Sequence, residues 1–181
     1  MRRRIANVLL LTGSAALVWC LTVLAGAALF QRYEARKLAH MPHAGHYIPQ
    51  HDELIGRLEI PRLHLETVVL EGDDDGILRL AAGHVPGTPF PFQPGNFSVA
   101  AHRDTFFRPL RKIKPDDRIE LTTPDGLYTY SVESTQIVKP TQVSVLDSHP
   151  GPQELTLITC YPFYYVGSAP MRFIVHAKRV S

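Results

Sequence analysis

The distribution of apolar and polar positions divides the chain into two unlike parts. Met1, Arg2, Arg3 and Arg4 precede a stretch from Ile5 to Phe30 that contains no charged residue. At 1.5 Å per residue this run is about 39 Å long as a helix, enough to cross a hydrocarbon core of roughly 30 Å with tilt. It predicts one transmembrane helix. From Glu53 the apolar positions instead fall in short alternating or β-branched runs. Leu54 to Ile60, Leu65 to Leu70, Asn96 to Ala101, Arg118 to Thr123, Leu127 to Val138, Glu154 to Cys160 and Met171 to Lys178 read as strands. Pro124-Asp125-Gly126 between two alternating runs marks a hairpin. Only Asp75 to Ala82 and Phe106 to Ile113 have a helical pattern. Seven or eight strands in so short a segment predict an all-β domain closed, or nearly closed, into a barrel, since closure removes exposed edges.

The expected organisation is therefore a cytoplasmic N-terminus and anchor over 1–30, a membrane-proximal linker over 31–52 and a folded domain over 53–181. A cleaved signal peptide is the alternative at the N-terminus, with Ala25-Gly26-Ala27 as a small-residue site, but the apolar run exceeds a signal core. Charge orients the anchor weakly, because Arg2, Arg3 and Arg4 are matched by Arg32, Arg36 and Lys37 on the other side. The expectation is a single-pass protein of the cell membrane with its folded domain outside the cytoplasm.

Composition supports this outline and excludes some functions. Fifteen Pro and twelve Gly fit many short elements joined by turns better than a helical bundle. A formal net charge of +2 is too small for a surface that binds a phosphate backbone, so nucleic acid is not an expected partner. Of two cysteines, Cys20 belongs to the anchor and Cys160 stands alone in the folded part. An unpaired thiol outside the cytosol is an oxidation liability unless it is used.

A cysteine nucleophile needs a base or cation beside it and a donor for the oxyanion. Cys160 ends the alternating run Leu155 to Thr159 and is followed by the aromatic stretch Tyr161-Pro162-Phe163-Tyr164-Tyr165. Among nine histidines, His102 closes another strand and leads into Arg103-Asp104-Thr105, whereas His84 is a second choice. Arg172 lies in the last strand, where a solvated outer-face arginine and a placed donor are both open readings. His40, His43, His46 and His51 form a His-rich patch without cysteine or carboxylate ligands at fixed spacing, and no metal site is expected there.

These segments together resemble the sortase family. Leu155-Thr156-Leu157-Ile158-Thr159-Cys160 is similar to its T-L-x-T-C strand. Gly83-His84-Val85-Pro86-Gly87-Thr88 and then Gly95-Asn96 through Ala101-His102-Arg103-Asp104 resemble G-H-x-P-G-T followed by G-N and A-G-H-R-D. Met171-Arg172-Phe173-Ile174-Val175 is similar to the strand that carries the family arginine. Cys160-Tyr161-Pro162-Phe163 and Gly167-Ser168-Ala169-Pro170 point to class D. Two positions depart from the pattern: Ala101 stands where glycine is usual, and Pro89 to Pro94 replaces an L-P-G-type stretch.

The resemblance implies an eight-stranded β-barrel behind an N-terminal anchor and a Cys-His-Arg site carried by Cys160, His102 and Arg172. It places Thr159, Tyr161 and His84 against substrate, with the Tyr161 N–H as a second oxyanion donor. The implied reaction is cysteine transpeptidation: cleavage of an LPxTG-like sorting signal between Thr and Gly, then transfer to an amine on a peptidoglycan stem peptide or a pilin lysine. No cofactor is implied, and calcium stimulation of a loop is undecided by the sequence. Rival readings are a secreted cysteine hydrolase with an Asp or Asn behind the histidine, a peptidoglycan L,D-transpeptidase, whose S-H-G-C type signature is absent, and an anchored β-barrel binding module with a merely buried Cys160.

Overall fold

The computed structural model describes residues 2–41, 48–149 and 153–180. A long helix, α1 (Arg2–His40), precedes eight strands: β1 (Leu54–Ile60), β2 (Leu65–Glu71), β3 (Ala82–His84), β4 (Asn96–Ala100), β5 (Arg118–Thr123), β6 (Gly126–Val138), β7 (Glu154–Tyr161) and β8 (Met171–Arg179). One short helix, α2 (Asp75–Leu80), begins at an Asp74 cap whose carboxylate accepts from Gly76 N and Ile77 N. The second predicted helix is a 3-10 segment, Arg108–Lys112.

The strands close in the order β1-β2-β3-β4-β7-β8-β6-β5, with β5 returning to β1 through Arg57↔Thr122, Leu58↔Leu121 and Glu59↔Glu120. Alternation puts one face of each strand inside. Leu58, Phe97, Val99, Ile119, Leu121, Tyr130, Leu155, Leu157 and Val175 fill the barrel at 1% exposure or less. The opposite face of β4, β7 and β8 carries Ser98, Ala100, Thr156, Ile158, Cys160, Arg172, Ile174 and His176.

The helix does not stop where the apolar run stops. Its last turns lie against the barrel, with Leu38 buried beside Leu54, Val68, Leu70, Ile77 and Ala81. Gln31 accepts from Val68 N at 2.8 Å and donates to the Leu80 carbonyl at 2.6 Å. Residues 31–40, read from the sequence as part of a linker, thus form a docked helix.

Candidate active site

Strand direction brings the expected chemistry together. β4 and β7 run parallel, in the register Asn96↔Glu154 to Ala100↔Ile158, so both C-terminal ends emerge at one rim. β8 runs antiparallel to β7, so its first residues return to the same rim, and Cys160 pairs with Arg172. His102 follows the end of β4. A cleft of about 230 Å³ is lined by Cys160, His102, Arg172, Arg103 and Asp104, with Gly167 to Ala169 forming one wall.

Cys160 is a half-buried free thiol. Arg172 is also half-buried, and its Nη1 donates to the Ala169 carbonyl at 3.3 Å and the Met171 carbonyl at 3.1 Å. Among the described residues no carboxylate pairs with it, so its remaining donors are available to a substrate oxygen. His102 likewise has no carboxylate partner among the described residues, and Asp104 is exposed. The orienting acid expected of a Cys-His-Asp hydrolase is therefore not in place.

Thr159 and His84 do not line the cleft. Thr159 is 2% exposed, and its hydroxyl donates to the Ala101 carbonyl at 2.7 Å, while Ala101 N donates to Ile158 O at 3.1 Å. The residues before Cys160 and before His102 are thereby tied to each other, and Thr159 sets their register. His84 is 1% exposed because β3 sits between β2 and β4. Its Nδ1 donates to Glu71 at 2.5 Å, its Nε2 lies 2.8 Å from the Thr88 hydroxyl, and its ring stacks on Phe97 at 4.9 Å. It joins β2, β3 and the turn after β3. The Tyr161 ring belongs to an aromatic cluster with Phe163 and Phe173, at 6.0 and 6.3 Å.

Arg103 has a role that its place in a polar turn did not reveal. Its Nη2 donates to the Tyr165 and Gly167 carbonyls at 2.7 and 3.1 Å, and its guanidinium lies 5.9 Å from the Tyr165 ring centroid. It clamps the β7–β8 loop that walls the cleft. Adjacency to His102 was the available signal.

A second, polar cavity of about 370 Å³ lies on the same outer face, bordered by Asn96, Gln136, Val145, His149, Glu154 and His176. Asn96 Nδ2 donates to Val145 O and Asp147 O at 3.2 and 3.4 Å, holding the β6–β7 loop over this face. Burial lowers the His176 pKa from its ordinary 6.5, with Glu154 opposing. In the neutral ring Nε2 accepts from Gln136 at 2.7 Å, leaving Nδ1 to donate to Thr156 at 3.3 Å. Of the His-rich patch, His43 and His46 lie outside the described residues. His40 donates to the Arg36 carbonyl, and His51 sits on the surface against Asp52 and Asp74 at 3.5 and 3.2 Å.

Comparison with known proteins identifies the family and the fold. The family model described as Sortase domain matches residues 58–180. Sortase D of Bacillus subtilis (strain 168) is 36% identical over 133 residues, covering 74% of this chain and 67% of that protein. Sortase A of Streptococcus agalactiae is 29% identical over 133 residues, covering 69% of this chain and 52% of that protein. Among solved structures, a Clostridium perfringens Sortase D5 transpeptidase superposes with a TM-score of 0.67 at 25% identity, covering 83% of this chain and 89% of that one. A sortase from Actinomyces oris gives 0.67 at 30% identity, over 74% and 83%.

Proposed function

The chain belongs to the sortase family, with class D character, and from that premise we propose that it is a membrane-anchored transpeptidase in which Cys160 is the nucleophile, His102 the proton carrier and Arg172 the oxyanion donor. The observation that carries the reading is the convergence of these three side chains on one cleft from the ends of β7, β4 and β8. The substrate is an LPxTG-like sorting signal. The Cys160 thiolate attacks the Thr carbonyl carbon, and Arg172 donates to the oxygen as it gains charge. The C–N bond to Gly then breaks while the His102 imidazolium protonates the departing amine, leaving a thioester. An incoming amine from a peptidoglycan stem peptide or a pilin lysine attacks the thioester, His102 takes its proton, and the thiolate leaves. The Tyr161 N–H is a second donor for the oxyanion, and water in place of the amine gives hydrolysis.

The apolar part of α1 is long enough to cross a membrane by length and composition. We read it as a retained single-pass anchor that leaves the barrel outside the cytoplasm. The test uses the full chain in detergent with a library of x-P-x-T-G peptides and an amine, products being identified by mass. The expected result is an acyl product joined to the amine, absent with Cys160→Ala. Transfer at wild-type rate by that variant would end the assignment.

A further inference from the structure

The docked part of α1 and the barrel border an open cavity of about 440 Å³. Its walls include the guanidinium-bearing residues Arg32, Arg36 and Arg57 and the small or apolar residues Ala28, Ala35 and Val68. The bonds from Gln31 to Val68 and Leu80 fix the helix at this point, so the cavity is built by the docking itself.

Charge and depth argue for what it holds. Arg32 and Arg36 are exposed, sit four residues apart on one helix face and have no ion pair among the described residues. Like charges at that spacing repel, and an anion between them removes the repulsion. Arg57 is already shared by Glu59 at 2.5 Å and Glu66 at 3.2 Å, so the two helix arginines carry the larger part of the site. Glu66 also borders the cavity, but its side chain is 58% exposed and can turn to water. Arg32 and Arg36 follow the uncharged run by two and six residues, about 3 and 9 Å along the axis. With tilt, that is the headgroup layer, roughly 5–7 Å thick on each side of the hydrocarbon core. Ala28 continues the cavity wall into the membrane-facing part of the helix.

We propose that this cavity is a binding site for the phosphate headgroup of an anionic membrane lipid, held by Arg32 and Arg36 with its acyl chains along the Ala28 side of α1. The inference rests on the reading of α1 as a membrane anchor. An occupied site would brace the junction between anchor and barrel and so fix the height of the catalytic rim above the bilayer. Free phosphate shares the charge but leaves the apolar wall uncovered, which favours the lipid.

The test places the full chain in nanodiscs of equal parts phosphatidylglycerol and phosphatidylcholine and counts by native mass spectrometry the lipids retained on the released chain. Wild type should retain phosphatidylglycerol in preference. Arg32→Gln/Arg36→Gln should weaken that retention by about 25-fold, taking roughly fivefold for each cation at an anionic surface. Lys37→Gln/Arg79→Gln removes the same charge outside the cavity and should stay close to wild type. No enrichment in wild type, or an equal loss in both pairs, would overturn the site. Equal retention of inorganic phosphate in pure phosphatidylcholine discs would make it an anion site and overturn the lipid assignment. A chain that fails to insert would sink the anchor reading and this site together. Peptide transfer measured in the same discs reports on the transpeptidase reading separately, since neither arginine borders the catalytic cleft.

Discussion

Arg172 faces Cys160 across a single register pair, and among the described residues its hydrogen bonds go to the carbonyls of Ala169, in the preceding loop, and Met171, at the start of β8. Removing it should therefore cost catalysis far more than stability. Arg172→Ala is expected to lower kcat/KM by roughly 10² or more, the scale of losing an oxyanion donor, with melting temperature nearly unchanged. Arg172→Lys should recover only part, because an ammonium lacks the planar fork. Wild-type kinetics in Arg172→Ala would remove the role, and a large drop in melting temperature would make it structural. The two histidines should divide the other way. His102→Ala is expected to cost several orders of magnitude in turnover. His84→Ala should act through folding, losing about 1–3 kcal/mol because Glu71 and Thr88 lose their partner. Kinetics and thermal melts of both variants check the ranking, and the reverse order would refute it. Cys160 and His102 stood out as candidates because each ends an alternating run, whereas the pattern around Arg172 left a surface residue and a placed donor equally open, and only the resemblance to the sortase strand singled it out. The buried ties of His84 and Thr159 were not legible, because their partners lie elsewhere in the chain, Glu71 in β2 and Ala101 just past β4.

Seven of the strands could be read from alternation to within a residue or two at either end, and the hairpin at Asp125-Gly126 is where β5 turns into β6. β3 escaped because three residues are too few to show a period, and it forms by pairing with β2 and β4 rather than by local preference. The continuation of α1 escaped because Arg32, Arg36 and Lys37 end the apolar run. Burial of Leu38 and the contacts of Gln31 carry the helix on. The β7–β8 loop shows how an element without regular structure is positioned. Its conformation depends on Arg103, which donates to two of its carbonyls, and on Arg111, whose guanidinium lies 5.5 Å from the Tyr164 ring centroid. Arg103→Ala should free the wall made by Gly167 to Ala169, raising KM about tenfold with a smaller change in kcat, since Cys160 and Arg172 are held within β7 and β8. Stability should move by no more than about 0.5 kcal/mol, as expected for an exposed loop. Hydrogen exchange over residues 163–169 should rise in the variant. Unchanged exchange and unchanged KM would show that the clamp does not position the cleft.

At the scale of the whole molecule, the barrel depends on the seam where β1 meets β5, because that pairing converts an open sheet into a closed one. The seam has a polar staple. Arg62, in the 3-10 turn after β1, forms a two-pronged ion pair with Asp117, next to the start of β5, and also donates to the Lys112 carbonyl at 2.7 Å. Asp117 further accepts from Lys114 N at 2.8 Å. These donors, the Arg62 guanidinium first, hold the Asp117 carboxyl below its ordinary value of 3.8 against the opposing effect of its burial. A carboxylate with a depressed folded-state pKa adds stability that is present above its unfolded value and is lost as pH falls through the folded one. His176 acts in a different window: held neutral by burial, it makes the fold less stable as pH falls through its unfolded value of 6.5. Both wild type and Asp117→Asn contain His176, so their difference isolates Asp117. The variant is expected to melt a few degrees lower at neutral pH, and the gap should close as pH is taken below the ordinary carboxylate range. Melting curves of the two proteins on a common pH series decide it. A gap that stays constant into strong acid would mean that Asp117 supports the seam through shape and hydrogen bonding alone, without the charge that Arg62 holds in place.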